Sequence, residues 1–245
     1  MKSRDPYDPY NPQAVAAMNR DEAMVAASRE FLTKTFEYGY YRNFQWLGRP
    51  VIQYPQDIVA LQELIWDYRP TLVVETGVAH GGSLILYASI LELIGGPGRV
   101  VGVEVEFREH NKVATGKHAL SKRIEVIEGS SVDPAIVAQV FDRAKGQERI
   151  MVVLDSLHTH EHVLAELRAY SPLARVGAPL VVFGTSTGVI DPSTDLKREW
   201  NTTRNPKSAL EEFLRENDRF EVDHEINDKL MITDAPDGYL RCVKD

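Results

Sequence analysis

One cysteine, Cys242, stands near the end of a 245-residue chain. No disulfide can therefore form within the chain, and the composition fits a reducing compartment. Positive charge is in short supply: 28 Lys and Arg face 36 Asp and Glu, for a formal net charge of -8 and a pI near 5.4. That balance argues against a protein that grips nucleic acid phosphates regardless of sequence, which takes clustered Lys and Arg. No apolar run approaches the roughly 20 residues of a membrane span, and the opening MKSRDPYDPYNPQ has no apolar core of the kind a secretory signal carries. A cytoplasmic protein that handles a small molecule or a glycan is the expectation. The G-x-G-x-x-G loop of nicotinamide dinucleotide binders is missing as well, which leaves a dehydrogenase or epimerase reading without a motif.

What the chain does have is an ordinary globular composition, 43% hydrophobic and 26% charged, enough for one α/β domain with additions. Its organising stretch is LVVETGVAHGGS, residues 72 to 83. The β-branched run Thr71–Val74 stops at Glu75, and Gly77, Gly81 and Gly82 follow before the apolar segment that starts at Ser83. This is the pattern of a buried strand, a sharp turn and a helix, with glycines where the backbone must turn tightly or come close to a ligand. The spacing is closer to the acidic-glycine loop of S-adenosylmethionine (AdoMet)-dependent methyltransferases than to a dinucleotide loop. A tight turn in any α/β protein would read the same way.

Residues 1–54 read as an N-terminal extension, offered for substrate or subunit contacts, and 55–245 as the AdoMet-binding domain. The Pro-, Tyr- and Asp-rich start through Pro12 has no reason to form regular structure by itself. Apolar spacing at Met24, Ala27, Phe31 and Phe36 predicts a helix from Asp21 to Tyr38, and the aromatic stretch from Tyr38 to Tyr54 predicts a core plug or the wall of a concave site. A helix follows from Pro55 to Tyr68. After the organising loop and its helix, RVVGVEVE forms a second strand with Glu104 at its end, where an acid can accept from two ribose hydroxyls. Glu106 competes, and Glu104 is preferred as the first acid after the apolar run. A helix over 107–120, a strand from Arg123 to Ile127, and the polar cluster Gly129, Ser130, Ser131 and Asp133 come next. That cluster can meet an adenine edge or simply cap the helix opened by Pro134.

The strand Ile150–Leu154 runs into Asp155, Ser156 and His158, which puts polar groups at the edge where ligands bind in parallel sheets. Transfer of a methyl group to a hydroxyl needs an oriented acceptor and a way to remove its proton. His158 can take a proton near neutrality, and Asp155 can hold a hard cation. His160 and His162 offer a possible cluster with His158, disfavoured because His162 falls in the next helix facing elsewhere. A fifth strand, APLVVF, ends at Gly184, Thr185 and Ser186, and the polar excursion from Thr187 to Pro206 reads as a lid or binding loop. Asn205 and Pro206 cap a helix. FEVDHE and KLMITDAP with its continuation YLRCVK read as a closing hairpin. The sum is a Rossmann-like class I α/β fold: seven strands, mostly parallel, helices on both faces, and an N-terminal helical extension.

Taken together, QWLGRPVIQ, ETGVAHGGS, GVEVEFREHNK, LDSLHTH, NPKSALEEFL and DKLMITDAPDGYLRCV resemble the cephalosporin hydroxylase and rhamnosyl O-methyltransferase family from Tyr41 onward. The resemblance implies an AdoMet-dependent O-methyltransferase acting on a sugar hydroxyl, such as a deoxysugar of a glycolipid, polysaccharide or glycosylated natural product, and a homo-oligomer. It implies Glu75, Gly77 and Ser83 around the methionine moiety, Glu104 on the ribose and Ser131 near adenine, with Asp155 a Mg2+ ligand and His158 the general base. The candidate cofactor contacts are thus Glu75, Gly77, Gly81, Ser83, Glu104, Ser131 and Asp155, the candidate catalytic pair is His158 with Asp155, and the candidate metal ligand is Asp155. One departure stands out. Where family members carry an acid at the end of the fifth strand, this chain has Gly184, which leaves Mg2+ an open question and raises the alternative of an AdoMet-binding or assembly protein with impaired turnover.

Overall fold

Asn11 and Asp21, each placed ahead of an Ala-rich run, start two helices by accepting from backbone N–H groups of the first turn. In the computed structural model, which describes residues 9–191 and 203–245, these are α1 (Pro12–Arg20) and α2 (Glu22–Glu37). The sequence predicts the second and not the first. A short hairpin, β1 (Phe44–Trp46) with β2 (Arg49–Val51), follows, then α3 (Pro55–Tyr68) opened by Pro55 at its first position. The expected loose start falls largely on residues 1–8, and the expected lid largely on 192–202, both outside the described residues.

From there strands and helices alternate: β3 (Leu72–Thr76), α4 (Gly82–Ile94), β4 (Arg99–Glu104), α5 (Glu109–Gly116), β5 (Ile124–Glu128), α6 (Pro134–Ala144), β6 (Ile150–Leu154), α7 (His160–Tyr170) and β7 (Pro179–Val182). The chain then runs through α8 (Pro206–Glu216), β8 (Phe220–Val222), α9 (His224–Asn227) and β9 (Tyr239–Cys242). The sheet order is β5-β4-β3-β6-β7-β9-β8, parallel through β7, with β9 antiparallel to both its neighbours. This is the seven-stranded, mostly parallel sheet that the apolar runs predict.

β3 and β6 sit in the middle, and every residue of both is buried, as the apolar runs Leu72–Val74 and Ile150–Leu154 favour. The two-residue period of a strand sorts them. Leu72, Val74, Ile150, Val152 and Leu154 enter one core with Val140 of α6, Leu167 of α7 and Phe213 of α8. Val73, Met151 and Val153 enter the other with Leu61 and Ile65 of α3 and Leu84 of α4. A third, smaller cluster joins Leu32, Tyr54 and Ile190 to the edges of Phe36, Tyr40 and Tyr41, so much of the aromatic stretch is a core plug. Tyr38 lies outside it, 85% exposed.

The closing hairpin is not formed as the sequence predicts. β8 has three residues, Asp223 caps α9 instead of extending the strand, and of the second expected strand only Tyr239–Cys242 pairs. The cause is a buried acid on α3. Asp57 is fully buried and accepts from Thr233 Oγ1, from the Asp234 backbone N–H at 2.8 Å and from the Tyr239 hydroxyl at 2.7 Å. A buried carboxyl must find donors, and KLMITDAP supplies them by leaving the sheet and wrapping onto the helix. The expected helix over 107–120 is likewise shorter, Glu109–Gly116. Among the described residues no helix is long and apolar enough to cross a membrane.

Tyr239→Phe removes one of the three donors to Asp57 with little change in shape. A loss of about 1–3 kcal/mol in chemical denaturation is expected; an unchanged midpoint would show that the network does not hold the loop.

Candidate active site

The chain builds outward from β3 to β4 and β5 on one side, then returns to β6 and β7 on the other. The carboxyl ends of β3 and β6 are therefore the point where the winding reverses, and a crevice opens there. Gly77, just after β3, makes that crevice close. A Cβ on it would stand 1.9 Å from the Asp155 carbonyl oxygen, and its φ is +82°, so the loop can lie against the end of β6 only with glycine at this position.

Glu75, the last but one residue of β3, is 1% exposed and accepts from Ser83 Oγ at 2.6 Å and Tyr87 hydroxyl at 2.8 Å, both on α4. Burial pushes its pKa up to about 8, against the pull of these two donors. Gly81 stands at the start of α4. At the end of β4, Glu104 accepts with Oε2 from the backbone N–H groups of Val78 at 2.9 Å and Ala79 at 2.8 Å, so it is tied to the glycine loop. Glu106 is exposed. Arg49 braces the same loop from β2, donating to the His80 carbonyl and to Asn111 Oδ1.

Across the crevice Asp155 meets His158: Oδ1 lies 3.1 Å from Nε2 of the imidazole. Its other oxygen, Oδ2, accepts from Gln53 Nε2 at 2.8 Å. Burial raises the Asp155 pKa to about 6, and the His158 contacts oppose that rise. A cavity of about 370 Å3 brings Gly77, Ala79 and His80 of the glycine loop together with Asp155, His158, Thr187 and Asp234. Phe36, Tyr41 and Arg42 from the N-terminal extension also line it. A roomier cleft of about 820 Å3 borders α3 and β9, lined by Trp66, Tyr68 and Arg149 among others, and contains none of the candidate residues.

Ser131 is not brought to the cavity. Its hydroxyl lies 3.0 Å from His162 Nε2 and its carbonyl accepts from Tyr170, which places it between β5 and α7. The three histidines do not converge. His160 contacts Ser208 and Glu212 of α8, His162 faces Ser131, and only His158 lines the cavity.

Gln53, Asp57 and Asp234 are the residues that reading by motif misses. Gln53 lies inside QWLGRPVIQ, where nothing marks it apart from its neighbours. Asp234 is hidden in a stretch that reads as a strand. In the folded chain it accepts from the Gly184 N–H at 2.9 Å and from Ser186 Oγ at 2.5 Å, fixing the turn after β7.

The rhamnosyl O-methyltransferase/CmcI family profile matches residues 38–243. The chain belongs to this family. Rhamnosyl O-methyltransferase of Mycobacterium tuberculosis H37Rv is 31% identical over 210 residues, covering 82% of this chain and 81% of that protein. That of Mycobacterium leprae is 30% identical over 166 residues, 65% and 70% of the two chains. The CmcI structure with Mg and SAM (AdoMet) has a TM-score of 0.58 at 18% identity, over 82% of this chain and 77% of that one. A Bacillus cereus O-methyltransferase in complex with SAH gives 0.53 at 15% identity, over 95% and 97%. Both share the fold. As a member of the rhamnosyl O-methyltransferase/CmcI family, the chain is an AdoMet-dependent O-methyltransferase.

The divalent cation named with one relative finds a poor donor set here. Asp155 has both oxygens engaged by neighbouring side chains, Gly184 offers none, and Asp234 is occupied by the turn. Among the described residues no group of three His, Cys, Asp or Glu side chains could hold a metal ion. Hard cations favour several carboxylate oxygens, and this set does not fit one.

Glu75 at about 8, Asp57 at about 7 and Asp155 at about 6 all titrate above their ordinary values of 4.5, 3.8 and 3.8 because burial disfavours the charged form. The folded chain therefore keeps protons that the unfolded chain releases near pH 4. That advantage is complete below the unfolded values and is lost as pH rises through the folded ones. The ligand-free protein should be easier to unfold at pH 8 than at pH 5. Glu75→Gln should remove the part of that loss that persists above pH 7, and an unchanged slope would refute the assignment.

Proposed function

We propose that this O-methyltransferase acts on a sugar hydroxyl, with His158 as the group that takes the proton. The observation that carries the reading is the Asp155–His158 pair at the mouth of a cavity shared by the glycine loop and the aromatic side chains Phe36 and Tyr41. Aromatic rings stack well on the apolar faces of sugar rings, and the curated relatives are named for rhamnose. AdoMet supplies an electrophilic methyl group on its sulfonium.

Around that co-substrate the chain's own groups divide the work. The family resemblance assigns Glu75, with Gly77, Gly81 and Ser83, to the methionine end, its buried carboxyl holding the loop through Ser83 and Tyr87. Glu104 is assigned the ribose hydroxyls, its Oε1 being the oxygen less engaged by the loop. Ser131 is assigned to the adenine by the family resemblance alone, its hydroxyl facing His162. The acceptor oxygen forms its bond to the methyl carbon as the carbon–sulfur bond breaks, S-adenosylhomocysteine leaves, and the acceptor proton passes to His158. Asp155 orients the ring and stabilises the imidazolium that forms. Gly184 is the reason to consider an AdoMet-binding protein without turnover; a complete carboxylate–imidazole pair beside it favours the enzyme.

Incubation with AdoMet and a panel of rhamnosides and other deoxysugar glycosides should yield S-adenosylhomocysteine with at least one of them. His158→Ala should lower kcat by about a hundredfold or more while AdoMet affinity stays within about threefold of the unsubstituted chain, since the imidazole serves the acceptor rather than the cofactor. Full activity in that variant would remove His158 from the chemistry, and AdoMet binding with no product from any sugar would remove the substrate class.

A further inference from the structure

The position after β7 is where the family resemblance calls for an acid, and the space around Gly184 shows what has taken its place. A Cβ on Gly184 would stand 2.6, 2.7 and 2.8 Å from Nδ1, Cε1 and Cγ of His158. Those separations are well inside van der Waals contact, so the ring fills the volume that an aspartate side chain at this site would need. The backbone agrees: φ at Gly184 is +76°, a region that side chains other than glycine's disfavour. The turn cannot simply rotate away, because its N–H is held by Asp234 Oδ2 at 2.9 Å and Asp234 Oδ1 is held in turn by Ser186.

The second observation concerns the far side of Asp155. Gln53 is 4% exposed and gives an amide N–H to Asp155 Oδ2. The carboxylate can only accept, so the amide must turn its nitrogen toward it. Its own oxygen, Oε1, is buried without a hydrogen-bond partner. Burying an amide with half its hydrogen bonds unmade costs stability. A neutral donor therefore takes one acceptor site of the carboxylate and brings no oxygen ligand for a cation, at a site where a simpler apolar side chain would pack with less penalty.

We propose that this chain transfers methyl without a divalent cation, Gly184 having exchanged the strand-end carboxylate for room in which His158 stands against Asp155, with Gln53 holding the other oxygen of Asp155. The inference rests on the methyltransferase reading above and assigns the cation's part of it to side chains. A cation would make the acceptor hydroxyl more acidic and orient it; here the imidazole accepts the hydroxyl proton outright as the methyl carbon changes partner from sulfur to oxygen. His158 is the catalytic residue. Asp155 and Gln53 are positioning residues that act through it.

The deciding experiment needs no acceptor. Mn2+ is titrated into the full chain, with and without AdoMet, and free Mn2+ is followed by electron paramagnetic resonance, alongside the Asp155→Asn variant. The expected result is no saturable binding below millimolar Mn2+ and no difference between the two proteins. Stoichiometric micromolar binding that Asp155→Asn abolishes would overturn the proposal. AdoMet affinity measured calorimetrically in the same samples keeps the two readings apart: failure to bind AdoMet counts against the methyltransferase reading, while AdoMet binding with tight Mn2+ counts against the cation-free mechanism alone. With a turned-over acceptor, rates in chelator and in Mg2+ should agree within about twofold, and a loss in chelator that Mg2+ restores would also overturn it. Gln53→Met keeps the volume and loses the donor. It should lower kcat about tenfold with KM for AdoMet unchanged and move the pH profile of kcat; a variant that alters stability alone, with kcat and its pH profile intact, would deny Gln53 its positioning role.

Discussion

The site depends on one close approach: the backbone after β3 lies against the backbone at the end of β6, with Gly77 so near the Asp155 carbonyl that no side chain fits between them. Two consequences follow. The glycine loop and the Asp155–His158 pair share a single crevice, and residues far apart in the chain, such as Glu75 and Asp155, feel each other's charge. Because β3 and β6 are buried on both faces, neither strand can shift to relieve the contact without disturbing both cores. The precision of the crevice is thus inherited from the packing of the sheet.

Buried acids are the recurrent device around this crevice. Glu75 is satisfied by Ser83 and Tyr87 and thereby ties β3 to α4. Asp57 is satisfied by Thr233, Asp234 and Tyr239 and thereby draws the segment before β9 onto α3. Each carboxyl is costly to bury and is retained where its donors fix a second element in place. The loop captured by Asp57 delivers Asp234 to the turn at Gly184, so a residue on α3 determines the floor beneath His158.

Gly184 reads differently in sequence and in space. In the sequence it is a missing ligand. In the fold it is a vacancy filled by an imidazole, with a backbone conformation and a hydrogen bond that keep it so. A single substitution in a motif changes meaning once the neighbour that occupies its volume is known.

The sheet was legible in the sequence, since apolar runs that stop at Glu75, Glu104 and Asp155 and helices capped by Asp21, Asp133 and Asn205 are local signals. It also carried the family, through motifs whose order along the chain is visible without coordinates. The partnerships that cross the chain came from folding. Gln53 meets Asp155 and Asp57 meets Tyr239 over separations of 102 and 182 residues, and no periodicity or spacing encodes such pairs. The same holds for the segment KLMITDAP, whose local propensity favours a strand and whose donors are claimed by a buried acid on α3. Local rules place residues on elements, and the satisfaction of buried polar groups chooses among the partners those elements bring within reach.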